Sequence, residues 1–483
     1  MKLTVLITCT LLGAFTSFGQ SDSVRILDLQ ECITIAIDNN LSVKRSQLQQ
    51  EGAAVDLRQA RAGRLPNLNV GGGYGYNWGR SIDPTTNQFI SQQINFTGLN
   101  GSSNVTLFNW FRITNSIKQS QLSYESAEYD VERAKNDISL NIIIFYLNVI
   151  FNRELLENAE YQLQSSQEQL DRTKKLVAGG ALPRTSELEL ISQVATNEVN
   201  LVNAENNLNL ALLSLKQAML IPASQEVELV VPELELESGE ELGISSDEVF
   251  EAALKAMPEI QSAQLQVQAA AMGVKVAEAG YAPSLSLNGS FSTNYSDAAD
   301  RARPIFEGTV TTTTPIGYVQ DAPSQTVVAD IEQPNIVGED PDFTMGEQFR
   351  ENLSNQLSIN LSVPIFNRLS ASSNVQRAKI SLQQAEIAVT EQKNILRQTI
   401  ETAYNDAYAA SKTYQASNRQ VEALEETFRS VENQYNLGAA NFTDYQVASN
   451  NLFQAKSDLV RAKFDFIFKK KILDFYQGKS LQF

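Results

Sequence analysis

The side chains that most often carry catalysis are scarce in this sequence. Among 483 residues there is no histidine. That excludes imidazole metal sites, nucleophile arrangements that need an imidazole base, and histidine pH switches. Carboxylates are plentiful, but no nucleophile motif or metal-ligand spacing accompanies them, and nothing calls for a cofactor. The formal net charge of −18 and the sequence pI near 4.7 oppose the basic face that a nucleic-acid binder needs. What recurs instead is helix-start chemistry. Asp28-x-x-Glu31 and Ser245-x-x-Glu248 read as capping boxes, in which side chains satisfy free N–H groups. Ser186-x-x-Glu189 and Thr443-x-x-Gln446 read as two more, opening later helices.

The elements that carry these motifs belong to an ordered chain, with 42% hydrophobic and 19% charged residues. The first 19 residues read as a secretory signal peptide: Lys2, an apolar run from Leu3 to Phe18, then small residues. The run is short for a membrane anchor. With that segment removed, Cys32 is the one remaining cysteine and no intrachain disulfide can form. The most apolar later stretch, "LNIIIFYLNVIF" at 140–151, carries Asn141 and Asn148 and reads as a buried helix segment.

The chain repeats itself once. At an offset of 217, Gln47, Leu48, Gln49, Ala53, Ala54, Ala60, Ala62, Gly63, Pro66 and Leu68 all recur. At an offset of 258, Val105, Phe108, Asn109, Tyr146, Gly180, Ala181 and Thr185 meet Val363, Phe366, Asn367, Tyr404, Gly438, Ala439 and Thr443. The offsets differ by 41, so the second half holds 41 extra residues, between Phe291 and Leu357.

Each half begins with two short helices, broken at Asn39-Asn40 or Met257-Pro258 and ending near Gly63 or Gly280. Period-two alternation then predicts strands at about 66–78, 102–109, 283–293 and 355–366, with the last apolar face running through Ile365. Two stretches without proline or glycine follow, about 112–178 and 369–437. At 1.5 Å per residue, roughly 65 helical residues reach on the order of 100 Å. Breaks at "AGGALPRTS" and "LGAANFTD" lead into return helices at about 186–219 and 444–475, which completes two long helical hairpins.

The strands set the constraint. Four strands cannot close a barrel alone, and an open edge cannot face lipid. Either they pack as a small soluble sheet, or several copies pool them into one barrel, apolar outside and polar inside. Tyr74, Tyr76, Trp78, Phe108, Trp110, Phe111, Phe291, Tyr295 and Phe366 cluster at strand ends, as an aromatic girdle or as ordinary turn packing. A strand running into a very long helix joins a membrane barrel to a helical tube.

In this order of elements the chain resembles the TolC family of outer-membrane efflux and secretion channels. The resemblance spans about 27–478. It rests on the tandem repeat, the "VPIFN" strand-to-helix junction and "YNLGAANFTDYQVASNNLFQAKSDLVRAKFDF" at the second hairpin. "NWGRSIDPTTNQF" is similar to the first external loop of homologues from the Bacteroidetes. The resemblance implies a mainly α fold with a membrane β-barrel. A homotrimer would make a 12-stranded barrel in outer-membrane lipid and a 12-helix periplasmic tunnel. It also implies docking to a periplasmic adaptor and an inner-membrane transporter, in tripartite efflux or type I secretion, with no enzymatic activity. The domains so implied are a signal peptide (1–19), a first repeat (27–220), an acidic linker or equatorial segment (221–244) and a second repeat (245–478) with an external loop at 296–351. The sequence leaves open whether that loop constricts the pore, binds a partner or is partly disordered.

The resemblance also implies a periplasmic entrance at the hairpin turns. Gly180 and Gly438 stand where the family has turn glycines, Tyr435 matches a gate tyrosine and Asp444 an acidic residue lining the entrance. Thr185, Ser186 and Thr443 complete the candidate set. The pattern departs from the family at Val447, where a second acidic residue is common, at Ala440, where a gate arginine can occur, and at Ser186, which replaces an aspartate. A ring of three Asp444 carboxylates would attract cations; the plainer reading is that Asp444 helps Thr443 cap its helix. The competing reading of the whole chain is a soluble exported coiled-coil scaffold or adaptor. Adaptors, however, use one helical hairpin, and two equal ones stand here.

Overall fold

A computed structural model of the chain describes residues 25–82, 89–91, 93–231, 243–297, 303–340 and 343–479. The expected signal peptide, residues 232–242 of the acidic linker, 83–88 of the first loop, and 298–302 and 341–342 of the long loop lie outside the described residues. The chain divides into two compact units: 1–54, 122–267 and 383–483 form one, and 55–121 and 268–382 the other.

The first unit is helical. Helices α1 (Leu29–Asn39) and α5 (Ser246–Ala256) both open on formed capping boxes. Glu31 N–H donates to Asp28 Oδ1 at 2.7 Å and Asp28 N–H to Glu31 Oε2 at 3.1 Å. Ser245 N–H donates to Glu248 Oε2 at 2.8 Å. Extended backbone at Asn40 and Met257 breaks each helix before α2 (Leu41–Ala62) and α6 (Pro258–Glu278). The long helices are α3 (Arg112–Ala178) and α8 (Ser370–Asn436), with return helices α4 (Arg184–Ala218) and α9 (Phe442–Tyr476). Every one of these bounds recurs at the 258-residue offset.

Two apolar cores hold the short helices to the long ones. Ile142, Ile143, Tyr146, Leu147, Val149 and Ile150 of α3 are buried with Cys32, Ala36 and Leu215. The α3 window apolar enough to cross a membrane by composition is thus core packing in this unit. Burying each Ile or Leu contributes about 1.5–3 kcal/mol. The second core joins Val249, Phe250 and Ile260 to Leu396, Ile400 and Leu473. Cys32 holds the place that Val249 has in the other half, fully buried, and burial pushes its thiol up to about 12. Arg397 fastens α5 to α8, its guanidinium 4.1 Å from the centroid of the Phe250 ring and 3.1 Å from Asp247 Oδ1.

The second unit is built on strands β2 (Asn69–Asn77), β5 (Ile94–Phe108), β7 (Ser284–Ser296) and β10 (Ser354–Ser362). They form one antiparallel sheet in the order β10-β7-β5-β2. Among the described residues the outer edges of β10 and β2 have no partner strand. Helix α7 (Met345–Glu351) covers the part of β7 that outruns β10. The buried Gln348 amide accepts from Ser296 N–H at 3.0 Å and donates to Ser296 O at 3.1 Å, while Thr293 Oγ1 donates to Phe349 O at 2.7 Å.

The strand-to-helix junctions in this unit are duplicates. Trp110 and Phe111 have φ of 52° and 60°; Arg368 and Leu369, 258 residues on, have 54° and 64°. Arg112 N–H donates to Asn109 O at 3.0 Å and Ser370 N–H to Asn367 O at 3.0 Å. Asn109 and Asn367 each offer Oδ1 to the second N–H of the helix at 3.4 Å. Consecutive left-handed residues cost roughly 1–2 kcal/mol each without glycine, so these turns are held by the sheet and helix on either side.

Several sequence expectations need correction. The last strand ends at Ser362, not Phe366, because Pro364 has no N–H to give a ladder. The second strand starts at Ile94 rather than 102. In its early part the register sets Gly98 opposite Gly73, and the Phe291 ring covers Gly101. The long loop carries a hairpin of β8 (Arg303–Val319) and β9 (Ala322–Asp340), in which the Thr-Val run favours strand over the proline and acidic signals. One small pair was also unexpected, β3 (Arg80–Ile82) with β4 (Phe89–Ser91), while the short strand that the residues suggest at Glu228–Val231 is present as β6 (Val227–Leu229), parallel to β1 (Arg25–Leu27). The capping boxes at Ser186 and Thr443 do not form; the return helices start two residues or so earlier, after Pro183 and Asn441.

Candidate functional site

The hairpin turns are built by glycine. Gly180 and Gly438 sit at φ of +76° and +75°, a region an L side chain enters only at a cost. Gly180 N–H donates to Val177 O at 3.0 Å and Ala181 N–H to Leu176 O at 2.9 Å. Gly438 and Ala439 repeat the pair on Tyr435 O at 3.0 Å and Gln434 O at 2.8 Å. This is the Schellman closure, which satisfies the last helical carbonyls and reverses the chain. Thr185 and Thr443 are exposed just beyond these turns, and Ser186 is half-buried with its N–H on Pro183 O at 3.2 Å.

Asp444 is exposed in the first turn of α9, and it does not cap that helix. Asn441 does: its Oδ1 accepts from Asp444 N–H at 2.9 Å. The Asp444 carboxylate complements the positive end of the helix dipole there. Val447 is also exposed, one turn on, where a second carboxylate would otherwise stand.

Tyr435 is packed in an aromatic cluster. Its ring stacks on Tyr445 at 5.0 Å between centroids and meets Phe442 at 6.2 Å, and Phe428 touches Tyr445 at 5.6 Å. Leu170, Leu190 and Val194 of the first hairpin close this core. The Tyr435 hydroxyl is buried with no hydrogen-bond partner among the described residues. Burial, with Glu432 nearby, pushes the Tyr445 phenol up to about 12. Arg172 Nη1 donates to Asn436 Oδ1 at 2.9 Å and links the two hairpins beside the turns. A cavity of about 350 Å³ lies between these helices, with Tyr161, Gln193, Glu432, Tyr445 and Lys456 on its wall. Phe442, Tyr445 and Arg172 escaped the sequence reading. The three-residue spacing of Phe442 and Tyr445 after the turn was the available signal.

The four-stranded sheet separates its side chains by face. Val105, Leu287 and Ile359 line up across β5, β7 and β10 on one face. One residue along, Thr106, Ser286 and Asn360 line up on the other. The next row of that face is Asn104, Asn288 and Ser358, and the Asn104 amide donates to Asn288 Oδ1. Tyr74 and Tyr76 of β2 belong to the apolar side, with hydroxyls 3.0 Å apart, and the Tyr76 ring stacks on Trp78 at 5.9 Å. The exposed aromatics Trp110, Phe111 and Phe366 lie at the strand-to-helix junctions.

Comparison with known proteins agrees with this architecture. The chain matches the outer membrane efflux protein family over residues 32–219 and 249–466. It is 22% identical over 473 residues to Outer membrane protein TolC of Escherichia coli K12, covering 96% of this chain and 84% of that protein. It is 26% identical over 276 residues to the cation efflux system protein CusC of Escherichia coli O157:H7, 55% of each chain. Among solved structures, the outer membrane protein VceC of Vibrio cholerae superposes with a TM-score of 0.69 at 16% identity, over 94% of this chain and 97% of that one. CusC gives 0.66 at 17%, over 94% and 92%. The structural likenesses establish the fold, and the family match spans both halves of the repeat. The chain belongs to the outer membrane efflux protein family and is an outer-membrane efflux channel.

Proposed function

We propose that three copies of this chain pool their four-stranded sheets into a 12-stranded barrel, continued by a 12-helix periplasmic tunnel. The observation that carries this is the sheet itself: one face apolar, the other polar, and two outer edges unpaired among the described residues. In lipid an unpaired backbone group costs several kcal/mol, so closure with neighbouring copies removes the penalty. Each copy adds two helical hairpins, so three supply the tunnel wall. The chain has no reaction of its own in this account; it is the conduit of a tripartite efflux or type I secretion system, served by a periplasmic adaptor and an inner-membrane transporter.

The turns at Gly180 and Gly438, with Thr185, Ser186, Tyr435, Thr443 and Asp444, form the periplasmic entrance. Three exposed Asp444 carboxylates rim it and favour cations. The β8–β9 hairpin stands at the external mouth. Recording from purified protein in planar bilayers tests the conduit reading. Discrete conductance steps are expected, with Asp444→Asn lowering the preference for cations. Absence of steps, with release of the protein from membranes by salt alone, would support the soluble scaffold instead.

A further inference from the structure

In a chain with 19% charged residues, none of the residues of β2, β5, β7 and β10 is Asp, Glu, Lys or Arg. On the apolar face, lipid explains this. On the polar face it does not, because lumen-facing residues meet water and tolerate charge. That face carries amides, hydroxyls and glycines, row after row, bonded within a row from Asn104 to Asn288 and between rows from Asn288 Nδ2 to Ser286 Oγ at 3.4 Å. Its large apolar side chains are Ile94, buried at the start of β5, and Phe96, which lies across Gly75. Charge resumes where the strands end. Asp297 follows β7 and accepts from Asn95 N–H at 2.8 Å, and Arg80 lies over the Phe89 ring at 5.0 Å.

We propose that the barrel lumen carries no fixed charge along these four strands, so that cargo of either sign crosses this level without electrostatic discrimination. The inference rests on the reading that the sheets close into a barrel with their apolar face to lipid. Rings of like charge in a narrow pore hold potentials of several kT and sort ions strongly. A wall of amides and hydroxyls offers hydrogen bonds to passing cargo and excludes neither sign. Any charge selection then belongs to other levels of the path, such as the carboxylate rim at Asp444.

The test is a pair of thiol labels on intact cells expressing the full chain. Ser290→Cys lies on the polar face and Leu287→Cys on the apolar face. A cationic and an anionic methanethiosulfonate of similar size are added outside, and their rates are compared with those for a free thiol in solution. The unmodified chain sets the baseline, with Cys32 buried. At Ser290→Cys the cation-to-anion rate ratio should stay within about twofold of the free-thiol ratio, and Leu287→Cys should stay unlabelled. Adding Asn104→Asp, which places one new carboxylate per copy near that row, should raise the ratio by roughly fivefold or more. A departure of about tenfold or more at Ser290→Cys alone would overturn the uncharged lumen and leave the barrel standing. Equal labelling of Leu287→Cys, or no labelling at either Ser290→Cys or Ser102→Cys, would overturn the barrel reading and the inference with it.

Discussion

The two hairpin ends share a backbone and differ in chemistry. Both turns are closed by a left-handed glycine with the same pair of hydrogen bonds. Yet Tyr435, Phe442 and Tyr445 of the second hairpin stand where the first has Val177, Arg184 and Glu187. The second return helix has an asparagine cap, whereas the first starts at Pro183 with no side-chain bond. At the far ends the asymmetry reverses. Gly478 closes α9 at φ +77°, while Leu220 is forced to φ 55° at the end of α4. Duplication fixed the path of the chain, and the aromatic contacts that close the end of the bundle were then placed on one copy.

The largest expected effect is at the aromatic cluster. Tyr445→Ala should remove about 3 kcal/mol of local stability, read as roughly a hundredfold loss of amide hydrogen-exchange protection around 428–450. Glu187→Ala, at the matching place, should change protection by no more than about 0.5 kcal/mol. Equal effects would erase the distinction between the two ends. Next comes the cap at the far end. Leu220→Gly should stabilise the end of α4 by about 1 kcal/mol by relieving the left-handed strain. Gly478→Leu should cost more than that, because its Cβ would also come within 3.1 Å of the Ala256 methyl.

Asn441→Ala should cost about 1 kcal/mol through the lost cap. Pro183→Ala should change only a few tenths, since no side-chain bond exists there. The smallest effect is absent at neutral pH. The folded protein holds the Tyr445 proton more tightly than the unfolded chain, whose tyrosine titrates near 10. Protection of the second hairpin end should therefore be complete below pH 10 and fall as the pH rises toward about 12. Tyr445→Phe should remove that fall, and the first hairpin end should not show it.

Much of this was legible in the sequence because it was local or duplicated. Helix α3 ends where glycine first appears, and the boxes at Asp28 and Ser245 form because their partners are three residues away. The box at Thr443 failed because Asn441, two residues earlier, caps the helix through the Asp444 N–H and leaves Thr443 inside its first turn. The early part of β5 was hidden because its glycines answer to Phe291 and to Gly73 on neighbouring strands, contacts with no local signature. The site was legible at Gly180 and Gly438, where backbone geometry demands a residue type. Tyr445 and Arg172 were not, since their partners lie on other helices.

The central claim is that four strands per chain become a membrane barrel only by pooling. The direct measurement is the native mass of the protein extracted in mild detergent from an outer-membrane fraction, corrected for bound detergent. The account predicts the mass of three chains. A single-chain mass, from protein released without detergent, would contradict it, because one copy's open sheet could not have stood in lipid.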